Sequence, residues 1–250
     1  MCFDLDSAPS IPPISGAAVS HDDLLLEASD GNRFAAFLAT PEKPAGVGVV
    51  ILPDVRGLYH FYEELALRFA ERGYPALAFD YFGRTAGTDK RGDDFEYMPH
   101  VQQTTPSGVQ ADVGACVAHL RTAGCGAIFT VGFCFGGRNS WLAAASGHDL
   151  NGAIGFYGRP GPANDGSPGP TQRAAEMACP ILALQGGDDA AIPAQDSRDF
   201  DDALTAAGVD HKVVIYDGAP HSFFDRKQEE FVAASEDAWY RVLGFIADYS

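Results

Sequence analysis

The chain is 250 residues long and carries a formal net charge of −17. That excess of acid excludes sequence-independent binding to nucleic acid or to an anionic membrane surface, since both require a positive field, and it leaves a small molecule as the expected partner. The length suits one sizeable α/β core, so one domain is expected over 1–250, with an extended segment over 1–20.

The chain starts with a proline-rich stretch (Pro9, Pro12, Pro13). Residues 21–28 and 33–39 then form two apolar runs around the turn Ser29-Asp30-Gly31-Asn32, which predicts an antiparallel hairpin. From residue 47 onward, short apolar runs alternate with helical stretches. Strands are predicted over 47–52, 75–79 and 127–133, with helices near 61–72 and 108–123 and another directly after Cys134. In the first helix Phe61, Leu65 and Phe69 repeat every four residues and Gly73 ends the pattern; in the second, Val109, Val113 and Val117 do the same before Gly124. Each helix therefore lays one apolar stripe on a sheet. Three further strands are expected over 152–156, 180–185 and 212–216, and an amphipathic helix near 228–247 closes the chain. Residues 83–106 and 159–170 fit no regular element and are expected to wall a pocket at the C-terminal edge of the sheet. The predicted architecture is a mostly parallel sheet of about eight strands, with an N-terminal hairpin, helices on both faces and no large cap domain.

The stretch Thr130-Val131-Gly132-Phe133-Cys134-Phe135-Gly136-Gly137 places one thiol between an apolar strand and an Ala-rich helix. Gly132 and Gly136 flank it where a side chain would collide in a sharp strand-to-helix turn, the pattern of a nucleophile elbow with cysteine in the usual serine position. The adjacent helix N-terminus favours a thiolate there. The other cysteines are read as reduced and inert, with Cys116 and Cys179 in the core, Cys125 in a helix-end turn and Cys2 in a loose terminus. A thiol nucleophile needs a base and a group to orient that base. Gln185-Gly186-Gly187-Asp188-Asp189 follows one strand and supplies a carboxylate; Gly218-Ala219-Pro220-His221 follows the last strand and supplies an imidazole. The chain order of nucleophile, acid and histidine is that of α/β-hydrolases.

With these motifs, with Gly186 to Pro193, Gly218 to Phe223 and Phe79-Asp80-Tyr81-Phe82-Gly83-Arg84, the chain resembles the dienelactone hydrolase family of α/β-hydrolases from about residue 21 to the last helix. The resemblance implies Cys134 as nucleophile, His221 as base and Asp189 as orienting acid, with Asp188 and then Asp217 as alternatives for the acid. It also implies an acid that contacts the thiol from the loop after the third strand, and here Asp54 takes the place of the family's glutamate. The backbone amides of Val55 and Phe135 would form an oxyanion hole. Two arginines that grip a substrate carboxylate would correspond to Arg84 and to Arg226, the latter displaced by one position and preceded by Asp225; Arg56 and Arg159 are spatial substitutes.

The resemblance therefore implies a cofactor-independent enzyme that hydrolyses a lactone or activated ester through a thioester, in the degradation of ring-cleavage products. The alternatives are a general small-molecule carboxylesterase or thioesterase, and a non-catalytic small-molecule binder on the same fold. No histidine has metal-ligand spacing and no phosphate-binding glycine loop is present, so neither a metal nor a nucleotide is expected. The acidic N-terminus and the lack of an apolar run of about 18 residues predict a cytoplasmic protein, as a monomer or a small homo-oligomer.

Overall fold

The computed structural model describes residues 4, 6–92, 94–163 and 166–250; Cys2, read above as part of a loose terminus, lies outside the described residues. Eight strands form one sheet: β1 (Val19–Glu27), β2 (Arg33–Pro41), β3 (Val47–Leu52), β4 (Ala76–Phe79), β5 (Ala127–Phe133), β6 (Gly152–Phe156), β7 (Ile181–Gly186) and β8 (His211–Tyr216). Their spatial order is β1-β2-β4-β3-β5-β6-β7-β8. β1 and β2 make the expected antiparallel hairpin, closing at Glu27 opposite Arg33, and β2 is also antiparallel to β4. Every pair from β4 through β8 is parallel, so the C-terminal ends of β3, β5, β6, β7 and β8 open on one edge.

Among the described residues, seven helices pack around the sheet: α1 (His60–Ala70), α2 (Gly83–Ala86), α3 (Met98–Val101), α4 (Pro106–Thr122), α5 (Phe135–Ala144), α6 (Ala194–Ala207) and α7 (Val232–Tyr249). The alternation along the central strands assigns the faces. Val47, Val49 and Ile51 of β3 and Phe129, Val131 and Phe133 of β5 pack with α1 and α7, whereas Val50, Leu52 and Ile128 pack with Val109, Val113 and Cys116 of α4. Toward the β7 edge, Ile181 and Ala183 meet Trp141 of α5 and Phe200 and Leu204 of α6. This is the two-sided burial that parallel strands require, and the architecture is the expected α/β-hydrolase fold.

Three local features depart from the expected pattern. The helix α6 falls in a stretch where no element was expected; of its side chains only Ser197, Phe200 and Leu204 are buried, so its apolar stripe is too thin to stand out. Residues 83–106 hold the short helices α2 and α3. The final helix starts at Val232 after a single 3₁₀ turn, Glu229–Phe231. The N-terminal segment is anchored: Ser7, Ala8 and Ile11 are buried, and Ile14 donates its amide to Glu71 at the end of α1 at 3.0 Å. Among the described residues no helix is long and apolar enough to cross a membrane.

Candidate active site

β5 is buried along its whole length between β3 and β6, and it delivers Cys134 to the open edge of the sheet. Cys134 has φ 55° and ψ −112°, a region that L-residues occupy only where the surroundings hold them there. The surroundings are glycine contacts. A Cβ on Gly132 would lie 2.0 Å from the Gly136 carbonyl oxygen, and one on Gly136 would lie 2.0 Å from that of Leu52. The chain can therefore reverse from β5 into α5 while touching β3 backbone to backbone. Cys134 donates its amide to Phe156 O at 3.0 Å, and α5 begins at the next residue. Cys134 is partly exposed, whereas Cys116, Cys125 and Cys179 are buried. Burial pushes the thiols of those three up, that of Cys179 to about 12, which keeps them protonated and unreactive.

The acid and the imidazole come from the turns after β7 and β8, which are stitched together by Gly187 N donating to Tyr216 O at 2.8 Å and Asp188 N donating to Ala219 O at 3.0 Å. Glycine is required at this seam, since a Cβ on Gly186 would come within 2.6 Å of Ala219 O. His221 Nδ1 donates to Asp189 Oδ2 at 2.6 Å. The other carboxylate oxygen of Asp189 accepts from the amides of Ala191 at 2.8 Å and Ile192 at 3.2 Å, which fixes the carboxylate plane. Asp188 and Asp217 are exposed, while Asp189 is buried; the structure pairs Asp189 with the imidazole. A proton on Nδ1 leaves Nε2 as a lone pair able to accept a proton from a thiol. Tyr157 connects the two halves of the site: its ring lies 5.0 Å from the His221 ring and 6.1 Å from that of Phe133, the residue before Cys134. A cleft of about 510 Å³ opens beside His221 and is lined by Asp4, Asp188, Asp189, Ser222, Asp225 and Gln228 among others.

The loop after β3 carries the other expected groups. Asp54 is almost fully buried, and its carboxylate is held by Arg56, with Nη2 at 2.8 Å and Nε at 3.2 Å, and by the Arg56 amide at 2.9 Å. The Asp54 amide donates to Tyr62 Oη at 2.9 Å, and the Tyr59 hydroxyl bonds both Asp54 and Arg56. Burial alone would lower the Arg56 guanidinium, but the Asp54 carboxylate overrides it and holds the group well above its ordinary value. The carboxylate expected against the thiol is thus placed in a bidentate pair with a neighbour, and Val55 sits in the turn that this pair closes. Tyr81, between that loop and the elbow, donates its hydroxyl to Pro53 O at 2.8 Å and packs edge-on against Phe135 at 5.1 Å. Phe135 opens α5, so its amide has no acceptor within the helix.

The arginines are placed differently from a clamp. Arg84 contacts Asp112 at 2.6 and 3.0 Å and Asp30 at 2.8 and 3.1 Å, so both edges of its guanidinium are filled by carboxylates that tie the β1–β2 turn to α4. Asp112 is fully buried and also accepts from Asn32 at 2.9 Å. Arg226 is exposed and faces Glu64 of α1 at 4.0 Å. Arg84 is thus paired with acids of the β1–β2 turn and of α4, and Arg226 with an acid of α1. Arg56 is committed to Asp54, and Arg159 is exposed on the loop after β6.

Two supporting groups escaped the sequence reading. Asp80, at the end of β4, accepts from the amides of Leu58 at 3.2 Å and Phe82 at 2.9 Å and from Arg91 at 2.8 Å. It thereby ties the loop bearing Asp54 and Val55 to the 83–106 segment. Its signal was its place in the stretch Phe79-Asp80-Tyr81-Phe82-Gly83-Arg84, where the sequence assigned it no role of its own. Asp225, noted above only as the residue before Arg226, accepts from the Ser7 hydroxyl at 2.9 Å and from the amides of Ala8 and Lys227, anchoring the N-terminal segment to the turn after His221.

A profile of the dienelactone hydrolase family matches residues 34–250. A protein of Escherichia coli K12 named "Putative carboxymethylenebutenolidase" is 29% identical over 97% of this chain and 94% of its own length. One of the same name from Salmonella typhimurium is 28% identical over 97% and 95%. The crystal structure titled "Putative Dienelactone Hydrolase" from Klebsiella pneumoniae superposes with a TM-score of 0.80 at 25% identity, over 93% of this chain and all of that one. The extent of the profile match, together with the sheet order and the elbow, means that the chain belongs to the dienelactone hydrolase family of α/β-hydrolases, enzymes that cleave carboxylic ester bonds.

Proposed function

We propose that the enzyme hydrolyses a small lactone or activated ester through a Cys134 thioester, with His221 as proton carrier and Asp189 as its orienting acid. The observation that carries the reading is the 2.6 Å bond from His221 Nδ1 to Asp189, made at the same sheet edge that presents Cys134 in a strained turn. In the first half-reaction His221 Nε2 takes the thiol proton and the sulfur attacks the acyl carbon. The carbonyl electron pair moves onto oxygen, where the amides of Phe135 and Val55 receive it. Collapse expels the alkoxide or enolate, which takes the proton from His221; in a lactone this oxygen stays attached to the acyl group. In the second half-reaction His221 removes a proton from water, the hydroxide attacks the thioester, and the thiol is restored as the acid product leaves. Thiolates suit good leaving groups such as enolates, which supports enol lactones from aromatic ring cleavage, degraded in the cytoplasm, as the first class to test.

A broader carboxylesterase or thioesterase is the second reading, and the carboxylates that fill Arg84 favour it. The test of both is Cys134→Ala assayed on an enol lactone and on p-nitrophenyl acetate. Loss of both activities, with the wild-type protein giving a mass increase of one acyl group when quenched during turnover, is the expected result. Undiminished hydrolysis by the variant would remove Cys134 as nucleophile.

A further inference from the structure

We infer that Asp225 and Ser7, 218 residues apart in the chain, are positioning residues for the proton carrier: the N-terminal segment clasps the turn that bears His221 and aligns the imidazole with the reacting edge. The inference rests on the hydrolase reading above and names what holds its base in place. Cys134 directly follows the central strand β5, whereas His221 stands well beyond Tyr216, the last residue of the edge strand β8. The residue after it, Ser222, has φ 61°, a conformation that an L-residue keeps only where its surroundings impose it. Those surroundings lie on both sides of the imidazole. Upstream, Asp188 N donates to Ala219 O at 3.0 Å. Downstream, Gln228 Nε2 donates to Ser222 O at 3.2 Å, and the Ser235 hydroxyl donates to Phe223 O at 3.0 Å.

Asp225 joins this turn to the distant N-terminal segment. One of its carboxylate oxygens accepts from the Lys227 amide at 3.2 Å, inside the turn, and from the Ala8 amide at 3.3 Å. The other accepts from the Ser7 hydroxyl at 2.9 Å. Ala8 returns a bond, its carbonyl oxygen accepting from the Arg226 amide at 3.0 Å. Ser7, Ala8 and Asp225 are all buried, so losing a partner would leave polar groups unpaired away from water. Packed rings carry the clasp to the imidazole. Ile11, Phe223, Phe224 and Tyr157 share one buried cluster. The Phe223 ring lies 5.6 Å from that of Tyr157, which lies 5.0 Å from the His221 ring. The Phe224 ring lies 6.0 Å from that of Phe133, the residue before Cys134. Asp225 thus sets how deeply Phe223 and Phe224 enter the core, and with that the position of His221 relative to Cys134. A misplacement of about 1 Å at a reacting group costs about 100-fold in rate.

The experiment measures kcat/KM on p-nitrophenyl acetate for S7A, D225A and D225N, each below its melting temperature. Alongside it, alkylation of Cys134 by iodoacetamide is followed against pH by mass spectrometry of the Cys134 peptide. D225A is expected to lose about 10- to 100-fold in kcat/KM, and S7A, which removes one bond of the clasp, about three- to tenfold. D225N keeps an acceptor for the two amides and can donate to the Ser7 oxygen, so it should recover most of the rate. In the wild type an aligned imidazole takes the thiol proton, and alkylation should persist well below the ordinary thiol value of about 8.5. In D225A and S7A the alkylation profile should move toward that value. Variants that only melt earlier, with rate and alkylation profile unchanged in the folded protein, overturn the inference. So does a D225N as slow as D225A, since it would give the role to the charge of Asp225 and not to the clasp. Where D225A does not fold, S7A decides by the same two readouts. A wild-type protein that turns over no ester overturns the hydrolase reading itself, whereas an active wild type with unaltered variants overturns only the inference.

Discussion

Two buried aspartates follow two strands of the same sheet, and they differ in one respect that sets their chemistry. Asp189 accepts from an imidazole at 2.6 Å and Asp54 accepts from a guanidinium at 2.8 Å. Residue type, burial and position at the C-terminal edge are shared. An imidazole can gain and lose a proton near neutral pH, whereas a guanidinium cannot. The first pair can therefore take part in proton transfer, while the second can only hold a shape, in this case the turn that carries Val55. A carboxylate in an active-site cleft thus acquires its role from its partner.

The largest effect that can break this comparison is on turnover. D189N presents an amide to His221 and favours the wrong tautomer; the expected loss in kcat is about 10³- to 10⁴-fold, measured on an activated ester with the circular dichroism spectrum unchanged. D54N should instead lower the melting temperature and keep kcat within about tenfold of wild type, because it removes half of an ion pair and no proton carrier. A collapse of kcat in D54N, with a shift in the pH profile, would mean that Asp54 reaches the thiol during the reaction and that the resting pair with Arg56 opens.

The next effects are on stability. R56A leaves the Asp54 carboxylate buried without its cation, and breaking such a pair costs about 3–5 kcal/mol; denaturant midpoints at constant slope would measure it. R84M strands Asp112 in the same way, but Arg84 is partly exposed and Asn32 remains, so about 2 kcal/mol is expected. Burial already pushes the Asp112 carboxyl up against the pull of Arg84 and Asn32. A change below about 0.5 kcal/mol in R84M would place the arginine among ordinary surface pairs and would return it to the pool of groups open to a substrate.

The contrast between these pairs also marks what the sequence could reveal. Strands β3, β5 and β6 were read to the residue, because central parallel strands are apolar on both faces and glycine-marked turns bound them. The turns carrying Cys134 and the Asp188-Asp189 pair were legible for the same reason, since they follow the buried strands β5 and β7, whereas His221 comes five residues after the partly exposed edge strand β8 and was legible from the Gly218 to Phe223 motif. The helix α6 was not legible, since four aspartates crowd its 14 residues and only Phe200 and Leu204 give an apolar signal. The arginine partners were hidden more deeply. Arg84 meets Asp30 and Asp112 across 54 and 28 residues of chain, and Asp225 meets Ser7 across 218. Such pairings depend on where side chains arrive after folding, and no local pattern encodes them.

A second histidine gives the smallest and sharpest form of the comparison. His148 bonds Gln110 Oε1 through Nε2 at 3.0 Å, packs beside Gly114, and among the described residues has no carboxylate in the place that Asp189 takes for His221. Burial, helped by the charge of Arg121, lowers its pKa from the ordinary 6.5. The unfolded chain then binds more protons than the folded one once the pH drops below about 6.5, so stability must fall with acidification. The loss should begin as the pH passes down through 6.5 and level off below the depressed folded value, with no slope from this group above pH 7.5. H148Q keeps a polar partner for Gln110 and cannot titrate. Comparing its urea midpoint with that of the wild type at pH 7.5 and 5.5 should therefore show a smaller acid loss in the variant, and equal losses would mean that His148 is protonated as easily folded as unfolded. A carboxylate holds the His221 ring by Nδ1 at 2.6 Å, and among the described residues none holds His148, so only the first of these two partly buried rings is oriented to carry a proton through a reaction.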